Sequence, residues 1–326
     1  MEDHRIGITL SKENLDFSKF EVEQLFTNHE INYSDNLALL ETDDLGELHD
    51  RLGRLSYGKK AFELLAHTEE WEDMLRDVEE ADITQYAFPD ESYKIDSLRI
   101  GQSHQSTDRG LLAGLTNTTG ELQVDVENPD AEFYHIKGDN HTFGRHIWEN
   151  DEPFTNRRND KLPASHPTGM EPRLARAMVN IASPKNCVLD PFCGAGGILI
   201  EAGLLGHQLY GIDHDSRMID RAKRNLGEFD LSAELVNGDA TEETYPCDCV
   251  VTDIPYGKNS TTSNDPVELF GAFLDRVRSD TSRCVLCYPA KDSFQDIVDV
   301  VDEDASTFDF YVNASLTRRI ALLKIA

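Results

Sequence analysis

The stretch Val188-Leu-Asp190-Pro-Phe192-Cys-Gly194-Ala-Gly196-Gly-Ile-Leu joins an apolar run to a helical repeat through an acid and three glycines. Such a turn bends sharply and lets a ligand approach the backbone, leaving the N–H groups of the next helix to bind it. No Lys-Ser or Lys-Thr pair follows the glycines, so the turn is not a phosphate loop. Its G-x-G-G spacing also differs from the G-x-G-x-x-G of dinucleotide sites. A carboxylate at Asp190 would repel a pyrophosphate and suits a cationic ligand. S-adenosylmethionine, with its ammonium and sulfonium, meets that requirement. A second acid, Asp213, stands 19 residues past Gly194 at the end of an apolar run. From there a carboxylate accepts hydrogen bonds from a ribose diol.

Two segments downstream extend the pattern: Gly238-Asp239-Ala240 and Thr252-Asp253-Ile254-Pro255-Tyr256. Asp190-Pro-Phe-Cys-Gly-Ala-Gly-Gly resembles the first motif of Rossmann-fold methyltransferases. Asp253-Ile-Pro-Tyr256 resembles the Asp/Asn-Pro-Pro-Tyr motif of those that methylate exocyclic amines, with Ile254 where the family usually has Pro. The whole chain resembles archaeal tRNA guanine-10 N2-methyltransferases of the THUMP-domain group. That resemblance implies cofactor contacts from Asp190, Phe192, Gly194, Gly196 and Asp213. It gives Asp239 the adenine amino group and Ala240 the packing beside the ring, and closes His166-Pro-Thr168-Gly over the methionine moiety. The chemistry explains the second motif. The guanine N2 lone pair is delocalised into the ring, so the amine is a poor nucleophile. Asp253 and a nearby backbone carbonyl accept its hydrogens and stabilise the developing positive charge. Pro255 stiffens the turn, and Tyr256 offers a ring on which a flipped base stacks. His214 and Asp215 read as helix-entry residues.

An open parallel sheet must hold these residues. Hydrophobic period places strands at residues 187–189, 209–212, 234–237, 249–251 and 283–287, with helices at 216–226 and 267–278. Strands at 309–312 and 318–323 make a closing antiparallel hairpin. The expectation is an α/β protein whose residues 170–326 form a seven-stranded Rossmann-like class I methyltransferase domain, opened by Glu171-Pro172. Residues 258–264 are polar and read as a loop near the target base. Upstream, residues 1–50 read as an α/β subdomain with strand 6–10, helix 15–28 and strand 37–41. Residues 51–148 add strands near 54–62, 92–100, 122–126 and 132–137, with helices near 68–78 and 108–115. The turn Asn128-Pro-Asp130 separates the last two of these strands. Val124-Asp-Val-Glu-Asn-Pro-Asp130 and the following strand resemble a THUMP domain, a small α/β module of RNA-modifying enzymes. From Gly144 the chain turns polar and irregular, and residues 149–169 read as a linker. Arg157, Arg158 and Lys161 form a basic island within it, suited to RNA phosphates. A solvated cluster balanced by Asp151, Glu152 and Asp160 is an equal reading.

Across 326 residues, 61 Asp and Glu stand against 31 Lys and Arg, a formal net charge of −30. That excess opposes binding to nucleic acid at ordinary ionic strength. At molar salt the Debye length is about 3 Å and the repulsion becomes short-ranged. The acids are spread along the whole chain and Lys is sparse, a pattern that resembles a halophilic proteome. Neither a run of about 18 apolar residues nor a signal-peptide pattern is present, which predicts a cytoplasmic chain with no membrane partner. The cysteines Cys187, Cys193, Cys247, Cys249, Cys284 and Cys287 mostly sit in apolar runs, where cysteine serves as a small hydrophobe rather than a zinc ligand.

Together these features predict a monomer that uses S-adenosylmethionine to methylate guanosine N2 of tRNA, at position 10 and once or twice. Transfer is direct and in-line, with no metal expected. A ribosomal-RNA guanine or DNA adenine amino-methyltransferase would use the same two motifs, and only the THUMP-like half argues against DNA. A cofactor-binding RNA chaperone without turnover would need neither Asp253 nor Tyr256.

Overall fold

The computed structural model describes residues 4–81, 92–101, 123–243, 245–255, 266–277, 279–290, 305–313 and 316–325. The helix expected near 108–115, Tyr256 and the polar stretch 258–264 lie outside the described residues. The chain divides into two compact units. One comprises Met1–Lys19, Phe26–Gly53 and Tyr57–Asp151; the other comprises Phe20–Leu25, Arg54–Ser56 and Glu152–Ala326.

The first unit is built on one eight-stranded sheet. Its elements run β1 (His4–Leu10), α1 (Leu15–Leu25, whose last six residues are assigned to the second unit), β2 (Asn32–Ser34), β3 (Leu37–Thr42), α2 (Leu45–Leu52), β4 (Gly58–Thr68), α3 (Trp71–Glu80), β5 (Ser92–Arg99), β6 (Gln123–Val124), β7 (Ala131–Lys137) and β8 (His141–Glu149). The strand order is β2-β3-β1-β4-β8-β7-β5-β6. Strands from both sides of residue 50 therefore share one sheet, because β1 pairs with β4 as well as β3. The seam expected there is not a boundary between separate sheets. Leu65, Met74, Val78, Phe133 and Phe143 form one apolar cluster, and Leu37, Phe62, Leu64 and Ile136 another. Each fully buried side chain of this size contributes about 1.5–3 kcal/mol. The strand expected at 54–62 begins instead at Gly58 and runs to Thr68. Residues 144–149, expected to be irregular, continue β8, which pairs along both β4 and β7. Helix α2 was not expected. Its signal is the pair Asp44 and Glu47: Asp44 Oδ1 caps the helix by accepting from the N–H groups of Gly46 and Glu47, each at 2.9 Å.

The second unit carries a seven-stranded sheet of order β11-β10-β9-β12-β13-β15-β14. Its elements are α4 (Pro172–Ala182), β9 (Cys187–Asp190), α5 (Gly197–Leu204), β10 (Gln208–Asp213), α6 (Ser216–Gly227), β11 (Glu234–Asn237), β12 (Cys249–Asp253), α7 (Pro266–Val277), β13 (Arg283–Pro289), β14 (Ser306–Asn313) and β15 (Leu316–Lys324). Strands β9 to β13 are parallel, and β15 inserts antiparallel between β13 and β14. The expected hairpin is thus present, with its second strand innermost. Leu189, Val250, Ile254, Phe270, Phe273 and Leu286 belong to one core cluster. The short apolar strands Cys187–Leu189 and Cys249–Val251 are buried throughout, as parallel strands covered on both faces must be.

Residues 152–169 are built into this unit rather than forming a free linker. Two 3₁₀ turns, Phe154–Arg157 and Asn159–Lys161, precede α4. Cys187 and Cys247 are joined in a disulfide across 5.6 Å between Cα atoms, so these two are not the simple apolar fillers expected. Cys193, Cys249, Cys284 and Cys287 are free and buried, as expected.

Candidate functional site

The strand order reverses between β9 and β12, the neighbours from which the sheet runs outward in both directions. The crevice beyond the carboxyl ends of strands at such a switch point is where open α/β sheets bind ligands. Asp190, Asp213 and Asp253 are the last residues of β9, β10 and β12, so the topology brings all three to this edge.

Asp190 is 2% exposed, and its Oδ1 accepts from Thr252 Oγ1 at 2.7 Å and from the Phe192 N–H at 3.2 Å. Burial pushes its carboxyl up to about 7 against these hydrogen bonds, and the nearby Asp213 and Asp253 carboxylates add to the rise. Gly194 and Gly196 have φ of +50° and +85°, a left-handed conformation that only glycine adopts without strain. A Cβ on Gly196 would stand 3.2 Å from Ala222 Cβ, so this glycine also permits close packing on α6. A Cβ on Gly194 would meet nothing within 4 Å among the described residues, which leaves room above the loop for a ligand. Asp213 spans the loop and its own strand end: Oδ2 accepts from Gly194 N–H and Oδ1 from Asp215 N–H, both at 2.9 Å. Burial raises its carboxyl above the ordinary range, opposed by those two bonds.

The remaining expected residues lie around this edge. Phe192 is half-buried against Phe273, with ring centroids 6.2 Å apart. Asp239 is exposed after β11, its carboxyl lowered by hydrogen bonds from Thr241, while Ala240 is buried beside it. Thr168 is exposed and its hydroxyl lies 2.8 Å from His166 Nδ1. Two residues on, the Met170 backbone is 3.9 Å from where a Cβ on Gly197 would stand, so this segment runs beside the start of α5.

Asp253 ends β12, and Ile254 N–H donates to Cys287 O at 2.9 Å, which fixes the chain as it leaves the sheet. Pro255, half-buried, follows at once. Arg318 Nη1 donates to Asp253 Oδ2 at 2.7 Å, whereas Asp253 Oδ1 is buried with no hydrogen-bond partner among the described residues. Burial raises the Asp253 carboxyl, and the Arg318 guanidinium opposes that rise. A buried carboxylate oxygen left without a donor costs about 1–3 kcal/mol.

Three residues of this site had roles that the sequence did not reveal. Arg318 reaches Asp253 only because β15 turns back antiparallel, placing Arg318 opposite Pro289 at the carboxyl end of β13. Asn225, fully buried on α6, accepts from Ala164 N–H and donates to Ala195 O, each at 2.9 Å. It thereby ties the 152–169 segment to the glycine loop. Thr252 holds Asp190, and its one hint is a hydroxyl inside an otherwise apolar strand.

The basic island does not hold together. Arg157 is 6% exposed and turned inward, donating to Glu201 Oε1 at 2.7 Å and Oε2 at 3.2 Å. Arg176 donates to the same carboxylate at 3.0 Å, and Glu152 pairs with Arg157 at 2.7 Å. Arg157 is therefore a structural residue of a buried ionic cluster, and the phosphate contact expected of it is withdrawn. Arg158, beside Asp160 at 3.3 Å, and Lys161 are exposed.

The arrangement fits a nucleoside-bearing cation: three convergent carboxylates, a left-handed glycine loop with open space above it, and a start of α5 with no side-chain cap among the described residues. Comparison with known proteins agrees. A family model described as "RMKL-like, methyltransferase domain" matches residues 159–320. Another, described as "DNA methylase", matches residues 60–224 and stops short of Asp253. In fold the chain is similar to TrmN from Thermus thermophilus, with a TM-score of 0.54 at 19% identity over 99% of this chain and 100% of that one. The tRNA (guanine(10)-N2)-dimethyltransferase of Methanothermobacter thermautotrophicus is 31% identical over 282 residues, 83% of this chain and 83% of that protein. Its namesake from Pyrococcus abyssi is 33% identical over 223 residues, 66% of this chain and 68% of that one. With the switch-point acids and the glycine loop in place, the chain belongs to the tRNA (guanine(10)-N2)-dimethyltransferase family.

Proposed function

We propose that this protein methylates N2 of a guanosine in tRNA, at position 10, adding one methyl and then a second. The observation that carries this reading is the division of labour on Asp253, one oxygen held by Arg318 and the other buried without a donor among the described residues. An exocyclic amine is a donor of the kind this acceptor lacks. Asp253 Oδ1 and a nearby backbone carbonyl take its two hydrogens, which turns the nitrogen lone pair outward. The carboxylate then stabilises the positive charge that builds on nitrogen and accepts the departing proton. After the first transfer one N–H remains, enough to hold the amine at Oδ1 for a second.

S-adenosylmethionine supplies an electrophilic methyl on a sulfonium that is already a good leaving group. Asp213 accepts from its ribose, Asp190 faces its cationic portion, Asp239 and Ala240 receive the adenine, and Thr168 with Gly194 and Gly196 encloses the rest. Holding donor and amine in line supplies much of the rate. Pro255 keeps the Asp253 turn stiff, and Tyr256 stacks on the base.

The first unit serves as a THUMP-like module that presents tRNA, with Arg158 and Lys161 making phosphate contacts from the second. The net charge of −30 fits a monomer working in the cytoplasm of a salt-loaded cell, where screening lets two polyanions meet. Incubating unmodified tRNA with enzyme and isotope-labelled S-adenosylmethionine, then analysing nucleosides by mass spectrometry, tests the reading. Label in N2-methyl- and N2,N2-dimethylguanosine is expected. Label in adenosine, or none in any nucleoside, would overturn it.

A further inference from the structure

The parallel strands of the second unit begin at the edge opposite Asp190, Asp213 and Asp253. There Lys185, Arg283 and Lys324, with Ser183, Ser282 and Asp248, line a cavity of about 410 Å³. Its position follows from topology: Lys185 precedes β9, Arg283 opens β13 and Lys324 closes β15. Three cations meeting in one hollow are notable on a chain of net charge −30.

Arg283 and Lys324 stand directly opposite each other in the antiparallel register of β13 and β15. Like charges so placed destabilise a sheet, and packing alone offers no return for it. The one carboxylate in the wall is directed elsewhere. Asp248 Oδ2 accepts from Lys185 N–H at 2.7 Å, and Oδ1 accepts from Cys187 N–H at 3.0 Å and Asn186 N–H at 3.3 Å. Asp248 thus caps the chain entering β9 and offsets one charge of the three. Arg283 gives an Nη to Gln24, whereas its Nε is buried with no partner among the described residues. Burial also lowers the Arg283 guanidinium from its usual range, the direction expected of a cation short of a counter-charge.

We infer that this cavity binds a phosphate group. Net positive charge from one guanidinium and two ammonium groups around the cavity matches a tetrahedral oxyanion, and the volume accommodates one with a sugar attached. Two sources share that chemistry. One is a backbone phosphate of the RNA, which rests on the reading of tRNA as substrate; the other is free phosphate or a nucleotide.

Inorganic phosphate titrated against the full chain in KCl at constant ionic strength, followed by the melting temperature, tests the site. A saturating rise is expected. Lys185→Gln/Lys324→Gln changes two exposed side chains, so the fold is kept, and should weaken the phosphate midpoint about tenfold or more. If tRNA Kd weakens in parallel while S-adenosylmethionine Kd is unchanged, the source is the RNA backbone. If tRNA Kd is unchanged, the source is free phosphate. No saturable response in the unaltered protein, or an equal response in the variant, would overturn the site.

Discussion

Arg318 Nη1 holds Asp253 Oδ2 at 2.7 Å and leaves Asp253 Oδ1 buried with no partner among the described residues, so one guanidinium both orients the carboxylate and opposes the rise that burial imposes on it. Asp253→Ala should therefore abolish turnover with S-adenosylmethionine Kd nearly unchanged. Arg318→Ala should lower kcat on the order of a hundredfold. Since burial already raises the Asp253 carboxyl, losing Arg318 raises it further, and the acid limb of the pH–rate profile should move to higher pH. Arg318→Lys should restore part of that shift. An acid limb that stays in place would mean that Arg318 serves only the fold.

Asp213 ties the glycine loop to β10 through Gly194 and Asp215. Asp213→Ala should weaken S-adenosylmethionine binding by about 1–3 kcal/mol, from the lost charged hydrogen bonds. Calorimetry checks this, and an unchanged Kd would place the ribose elsewhere.

The Asp190 carboxyl, raised to about 7, is partly protonated near neutrality. A cation beside it favours the ionised form, so binding below that pH must release a proton. Cofactor affinity should rise as pH goes from about 6 to about 8 and then level off. In Asp190→Asn this rise should vanish. Titration calorimetry in buffers of different ionisation enthalpy measures the proton directly, and zero release at the lower pH would contradict the placement.

Arg157 and Arg158 are neighbours in sequence with opposite fates. Arg157→Met leaves Glu201 short of a buried partner and should destabilise by about 3–5 kcal/mol, with tRNA KM unmoved in the protein that remains folded. Arg158→Gln/Lys161→Gln should leave the melting temperature within error and raise tRNA KM. The reverse pattern would restore Arg157 to the RNA surface.

Salt tests the meaning of the net charge of −30. Most proteins that bind nucleic acid lose affinity as salt rises. Here self-repulsion and repulsion of RNA are both screened, so stability and methylation should increase from about 0.1 M to about 2 M KCl. A matched series of thermal melts and initial rates decides it. Activity that peaks near 0.1 M and falls above would sink the halophilic reading.

The sequence alone determined what depends on near neighbours in the chain. The strand, acid and glycines at 188–197 specify a turn, because backbone conformation and helix start are local properties. The apolar strands of the second unit and the acids that end them were legible for the same reason, and so was the type of ligand those acids favour. Elements whose signals were short or mixed were missed: α2, announced only by Asp44 and Glu47, and β8, whose polar residues hid its pairing. Only the tertiary structure decided which distant residues meet. Arg318 is 65 positions from Asp253, and Thr252 is 62 from Asp190. Whether a polar residue faces solvent is equally non-local. Arg157 and Arg158 are alike in type and adjacent, yet the turn at Phe154–Arg157 directs one at Glu201 and leaves the other in water. Burial sets the upward shift of Asp190, Asp213 and Asp253, and burial is a property of the whole packed unit, not of any stretch of chain.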